Sequence, residues 1–138
     1  MADYLDPKFG NAVALGPFTA ANVTTGAADQ DLVFAQAGTT VTMLHSGSVV
    51  GLSLEPVGAV TGGSITAKVH KASTELANTP APVSNETNTL GTYATVRPGS
   101  VRFAAGDKLG VSVSATTTLA PTNTVEVNAV LYVAYDPQ

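Results

Sequence analysis

The chain of 138 residues contains no cysteine and no tryptophan. Without cysteine there is no disulfide framework, no thiolate metal site and no cysteine nucleophile, and redox chemistry leaves the compartment undetermined. Charge is scarce as well, since Asp, Glu, Lys and Arg make up 12% of the residues where an average soluble protein carries about a quarter. Six Lys and Arg, scattered singly against ten Asp and Glu, give a net charge of -4. That balance builds no groove able to track phosphates and argues against a nucleic-acid partner. No apolar run is long enough to cross a bilayer as a helix, so no membrane partner is expected. The opening Met1-Ala-Asp-Tyr-Leu-Asp-Pro lacks the basic start and apolar stretch of a secretory signal. Synthesis in a cytoplasm is the expectation, under which the sequons Asn22-Val23-Thr24 and Asn85-Glu86-Thr87 mean little.

Catalytic constellations are missing too. His45 and His70 are the two histidines, and His70 falls on the polar side of an alternating segment near Lys68 and Lys71, where a solvated or interface side chain is expected. Asp29-Gln30-Asp31 matches a fragment of a calcium loop without its glycine and distal glutamate. Gly58-Ala-Val-Thr-Gly-Gly63 has the look of a phosphate cradle, but it lacks the Lys-Ser/Thr ending and precedes a strand pattern, so it reads as a turn. Asp3, Asp6 and Asp136 sit toward the ends, where acidic side chains are commonly just solvated. No serine stands in a nucleophile elbow. The expectation is a protein that is not an enzyme and takes no cofactor or metal.

What the chain does have is 44% hydrophobic residues arranged with a period of two. Val101 and Phe103 alternate with Arg102; Leu109, Val111 and Val113 alternate with Gly110 and Ser112; Gly106-Asp107 lies between them as a turn. The pattern predicts a hairpin. Val49 to Glu55, with Val50, Leu52 and Leu54 on one side, and Ile65 to Val69 read as further strands, as do Thr92 to Val96 and a long closing strand Val125 to Tyr135. Ala72 to Gly91 is a polar passage with Pro80 and Pro82, of the length that carries a chain between sheets. The predicted fold is all-β: an antiparallel β-sandwich of jelly-roll type with about eight strands and little helix. Its core is expected at Leu52, Leu54, Ile65, Val69, Val101, Phe103, Leu109, Val111, Val113, Val127, Leu131 and Val133.

The first thirty residues differ from the rest. They hold small residues, with Tyr4, Leu5, Phe9, Val13, Leu15 and Phe18 as separated bulky anchors. An extended N-terminal arm over residues 1–30, ahead of a sandwich domain over 31–138, is one reading; a first edge strand at Ala12 to Leu15 is the other. The closing strand has one continuous apolar side, and its opposite side turns apolar at Val130 and Tyr132, which predicts a cover over that end. The arm anchors together with Val130 and Tyr132 are therefore the candidate contact residues, for a neighbouring subunit or another protein.

The arm, the Phe103-Ala-Ala-Gly-Asp-Lys-Leu turn and the ending Leu131-Tyr-Val-Ala-Tyr135 together resemble the decoration or cement proteins of tailed-bacteriophage heads, with their trimeric jelly-roll-like sandwiches. The resemblance covers most of the chain but includes no diagnostic motif. It implies a homotrimer on the outer capsid surface of the virion, holding the major capsid protein against internal pressure. The alternative role is a receptor- or carbohydrate-binding jelly-roll head of a tail fibre or baseplate, which the absence of tryptophan and the 6% aromatic content disfavour.

Overall fold

In a computed structural model of the chain, the residues described are 12–34, 38–87 and 91–137. Alternation with a period of two gives each segment one apolar side, and two such sides can leave water only by facing one another. The described residues form strands and turns with no helix. In chain order the strands are β1 (Ala12–Val23), β2 (Gln30–Asp31), β3 (Val33–Phe34), β4 (Val41–Thr42), β5 (Gly47–Pro56) and β6 (Ser64–Lys71). They continue with β7 (Thr74–Glu75), β8 (Val83–Asn85), β9 (Thr92–Thr95), β10 (Arg102–Phe103), β11 (Lys108–Ala115) and β12 (Val125–Tyr135).

Two antiparallel sheets result. In the first, β12 lies between β1 and β5, β3 flanks β1, and β9 and β10 share the far side of β5. In the second, β11 lies between β6 and the pair β2 and β4, while β7 and β8 share the far side of β6. Interrupted strands that share one neighbour count as one lane, so β1-β12-β5-β9 faces β2-β11-β6-β8, the strand order of a jelly roll. The expected sandwich is therefore present, with twelve strands among the described residues where about eight were predicted. The surplus comes from turns and bends that cut single lanes into short pieces.

All twelve predicted core residues are buried. Phe18, Val23, Leu32, Met43, Val49, Val60, Leu119 and Val125 join them in one cluster between the sheets. Val49, not Val50, takes the inward place because a bulge opposite Tyr132 and Val133 reverses the alternation within β5.

Two sequence expectations change. Val101 to Val113 is not a hairpin: β10 pairs with β5 in one sheet, β11 pairs with β6 in the other, and the turn between them carries the chain across. Asp107 builds that turn by accepting from the Ala104 amide at 2.8 Å, and Gly106 supplies a φ of +90°. Both arms have the right periodicity, but periodicity does not say which sheet a strand joins. The second change concerns the N-terminus. Residues 1–11 lie outside the described residues, with Tyr4, Leu5 and Phe9 among them. Residues 12–23 are a strand of the first sheet, in register with β12 from Ala12 opposite Ala134 to Val23 opposite Val125. An extended arm reaching residue 30 is therefore not what the structure places there. The small residues that look too weak to fold alone are held by a backbone ladder, and Phe18 contributes a fully buried ring whose centroid lies 5.1 Å from that of Phe34.

Candidate functional site

Cross-strand partners share a side of a sheet, so the register fixes which residues of the first sheet look outward. Leu131 lies opposite Leu15 and Leu52, and all three look toward the second sheet. Tyr132 lies opposite Ala14 and Gly51, and Gly51 opposite Thr95; Val130 lies opposite Ser53, and Ser53 opposite Tyr93. The outer face thus runs from Ala14 through Tyr132 and Gly51 to Thr95, with Val130, Ser53 and Tyr93 in the next row.

This face has two halves. On the β1 side, β1 contains no charged residue along its twelve positions, and Ala12, Val13, Ala14, Gly16 and Pro17 are exposed. β3 pairs with β1 only at Phe18 and Thr19, so the far edge of Ala12 to Leu15 has no strand partner among the described residues. Edge strands are usually guarded by charge, and this one carries only the interruption between Leu15 and Phe18 that holds Gly16 and Pro17.

On the β9 side lies a shallow depression of about 550 Å³. Gly51, Ser53, Glu55, Gly91, Tyr93, Thr95 and Tyr132 contribute to it. Tyr132 lies over the floor: a Cβ added to Gly51 would sit 3.6 Å from its Cδ2. Tyr93 stands free at 78% exposure, the most exposed large apolar side chain among the described residues. Glu55 runs alongside Gly91, where a Cβ would meet its Cγ at 3.6 Å. Glu55 is the sole charged residue among the described residues lining the depression.

The predicted contact residues divide accordingly. Val130 and Tyr132 look outward from the middle of this face, half-buried and 38% exposed respectively. Val13 and Leu15 share the inward side of β1, where Leu15 packs against the core and Val13 is exposed, while Phe18 is wholly inside it, where no partner protein can reach it. Tyr93 and Glu55 were not singled out from the sequence. Alternation within Thr92 to Val96 does separate Tyr93 from Ala94, but its place beside Ser53 depends on a pairing across about forty residues.

Elsewhere, His70, expected as a solvated or interface side chain, is buried within the chain itself at 6% exposure. Its Nδ1 lies 2.7 Å from the Ala72 carbonyl oxygen, its Nε2 lies 3.3 Å from Asp31 Oδ1, and its ring covers Gly110, where a Cβ would meet Cε1 at 2.6 Å. The glycine makes room for a ring that would otherwise stand in water. Asp136 is also more than a solvated acid. Arg102 grips it with both terminal guanidinium nitrogens, Nη1 donating to Oδ1 at 3.1 Å and Nη2 to Oδ2, and Ser46 donates to Oδ2 at 3.0 Å. The hydrogen bond from Arg102 holds the Asp136 carboxyl below the usual range, and the same bond raises the guanidinium. No cluster of three or more metal-ligating side chains occurs among the described residues.

The structural class defined here is an all-β, antiparallel jelly-roll sandwich. No protein-family profile matches the chain, and no curated protein is detectably related to it. Among solved structures, one described as "Acidic stable capsid structure of Helicobacter pylori bacteriophage KHP30" is similar at 13% identity and a TM-score of 0.43, covering 92% of this chain and 94% of that one.

Proposed function

We propose that the protein is a structural component of a virus particle: a decoration or cement protein that sits as a homotrimer on the outer surface of a tailed-phage capsid and braces the major capsid protein. The observation that carries this reading is the uncharged β1, whose unpaired edge at Ala12 to Leu15 adjoins the neutral outer residues Val130 and Tyr132. Such a surface loses little hydration on contact and offers backbone groups to another strand. Closed rotational symmetry would satisfy that edge without open-ended pairing. The role is one of binding rather than catalysis.

The experiment is sedimentation of the purified protein alone and with emptied capsids. A trimer that co-sediments with shells is expected, and Ala14→Lys, which sets a charge beside Tyr132, should weaken both trimer and attachment by about tenfold or more, the equivalent of roughly 1.4 kcal/mol. A monomer that ignores capsids would overturn the reading. The second role, a carbohydrate-binding head, is favoured by one specific observation, the free Tyr93 beside Glu55.

A further inference from the structure

We infer that the depression between β5 and β9 is a binding site for a neutral pyranose, a terminal or internal sugar of a glycan. The site borders the β1 edge at Ala12 and shares Tyr132 with it, but its aromatic and acidic groups, Tyr93 and Glu55, lie on β9 and β5 and do not depend on the capsid reading. Its size, about 550 Å³, suits one or two sugar rings. The chemistry of its lining narrows the ligand further. Among the described residues Lys, Arg and His are absent from the lining, and Glu55 contributes a negative charge, so a phosphate, a sulfate or a sialic acid would be repelled. A purely apolar ligand would leave the Glu55 carboxylate and the hydroxyls of Ser53 and Thr95 without partners where it covered them. A neutral sugar answers both constraints. One face of a pyranose is a patch of C–H groups that stacks on an aromatic ring, and its rim is a row of hydroxyl donors.

The positions fit that division. Tyr93 is exposed over most of its surface and held on a strand paired with β5 at four successive residues, so its ring is available without being on a loose loop. Tyr132 stands two strands away and one row along, roughly 10–12 Å from Tyr93 between Cα atoms by ordinary sheet spacings. A ring can lie between the two. Gly51 forms the floor between them, and Tyr132 already lies against it, which keeps that wall low. Gly91 leaves the end of the depression open beside the Glu55 side chain, where adjacent sugar hydroxyls would each donate to a carboxylate oxygen in charge-assisted hydrogen bonds.

The test uses the intact protein on a printed array of neutral and sialylated glycans, followed by calorimetric titration with the methyl glycoside of each terminal sugar that scores. Binding to a subset of neutral glycans is expected, in the sub-millimolar to millimolar range common to shallow single-ring sites, about -4 kcal/mol or slightly better. Tyr93→Ala and Glu55→Gln should each weaken it by about tenfold or more, while Tyr93→Phe, which keeps the stacking face, should stay within about threefold of the parent. Both residues are exposed, so the circular-dichroism spectrum and melting temperature of the variants should match the parent. No neutral glycan bound at 10 mM or about that concentration, binding confined to sialylated glycans, or binding indifferent to Tyr93→Ala would each overturn the site. Glu55→Gln supplies the control that keeps the two proposals apart, because it should weaken glycan binding while sparing capsid attachment through the β1 edge. Capture of a capsid protein through Tyr93, with no glycan bound, would reassign the depression to protein docking and likewise overturn the inference.

Discussion

Arg102, Asp136 and Ser46 show how a lone charge earns a place on a surface that has few. The carboxyl accepts from both partners at the corner where β12 ends, and its proton affinity falls below the usual value as a result. A carboxyl whose folded pKa is depressed contributes stability above its unfolded value, about 3.9, and loses that contribution as pH falls through the folded value. Asp136→Asn should therefore lower the melting temperature slightly at neutral pH and make no difference at the acid end of the carboxylate range. Thermal scans across pH 2 to 7 or thereabouts check this, and a constant difference over that window would contradict it. Gly63 is a stricter position. Its φ is +66°, and a Cβ there would stand 2.6 Å from the Leu119 backbone nitrogen. Gly63→Ala should cost about 2 kcal/mol or more, from left-handed backbone strain and the displaced Leu119 turn together, read as a lower denaturant midpoint.

Among the elements, β1 decides how the N-terminal part is to be understood. It carries Phe18 and Val23 into the core and pairs with β12 along most of its length. Deleting residues 1–18 should consequently prevent folding, because a large buried ring is lost and β12 becomes an open edge. Soluble, cooperatively unfolding protein from that deletion would show β1 to be dispensable. The lesson for reading the sequence is specific. Strands with strong alternation, such as Ile65 to Val69 and Val125 to Tyr135, are legible because each bulky side chain marks its own face. β1 is harder to read: its exposed positions are mostly Ala, Gly and Pro, with Val13 and Asn22 among them, and the interruption at Gly16-Pro17 breaks the period before Phe18 arrives. The depression is less legible still. Tyr93 and Glu55 meet only through the antiparallel pairing of β9 with β5, and nothing local in either segment announces the other.

At the scale of the whole molecule, scarcity of charge has a measurable consequence for assembly. Attachment through β1 and the outer face of the first sheet would use neutral contacts, so it should depend little on salt. Raising ionic strength from about 0.05 M to about 0.5 M shortens the screening length several-fold and should change capsid affinity by less than about threefold. A steep loss over that range would mean that charged groups elsewhere, such as Lys108 or the Lys68–Glu75 pair, make the contact.

The position of β12 bears on how the protein comes to be made. It fills the gap between β1 and β5, yet it is the last of the described strands and begins more than a hundred residues after β1 does. While a ribosome is still extending the chain, β1 and β5 have no common neighbour to hold them, and the first sheet cannot close. The nascent protein must stay unassembled until its final strand emerges, then gather distant segments in one step, a slow route for a sheet of such non-local pairing. Few charges guard those segments during that wait. Yield of native protein should accordingly respond more to the rate of synthesis and to chaperone supply than the modest size of the chain would lead one to expect.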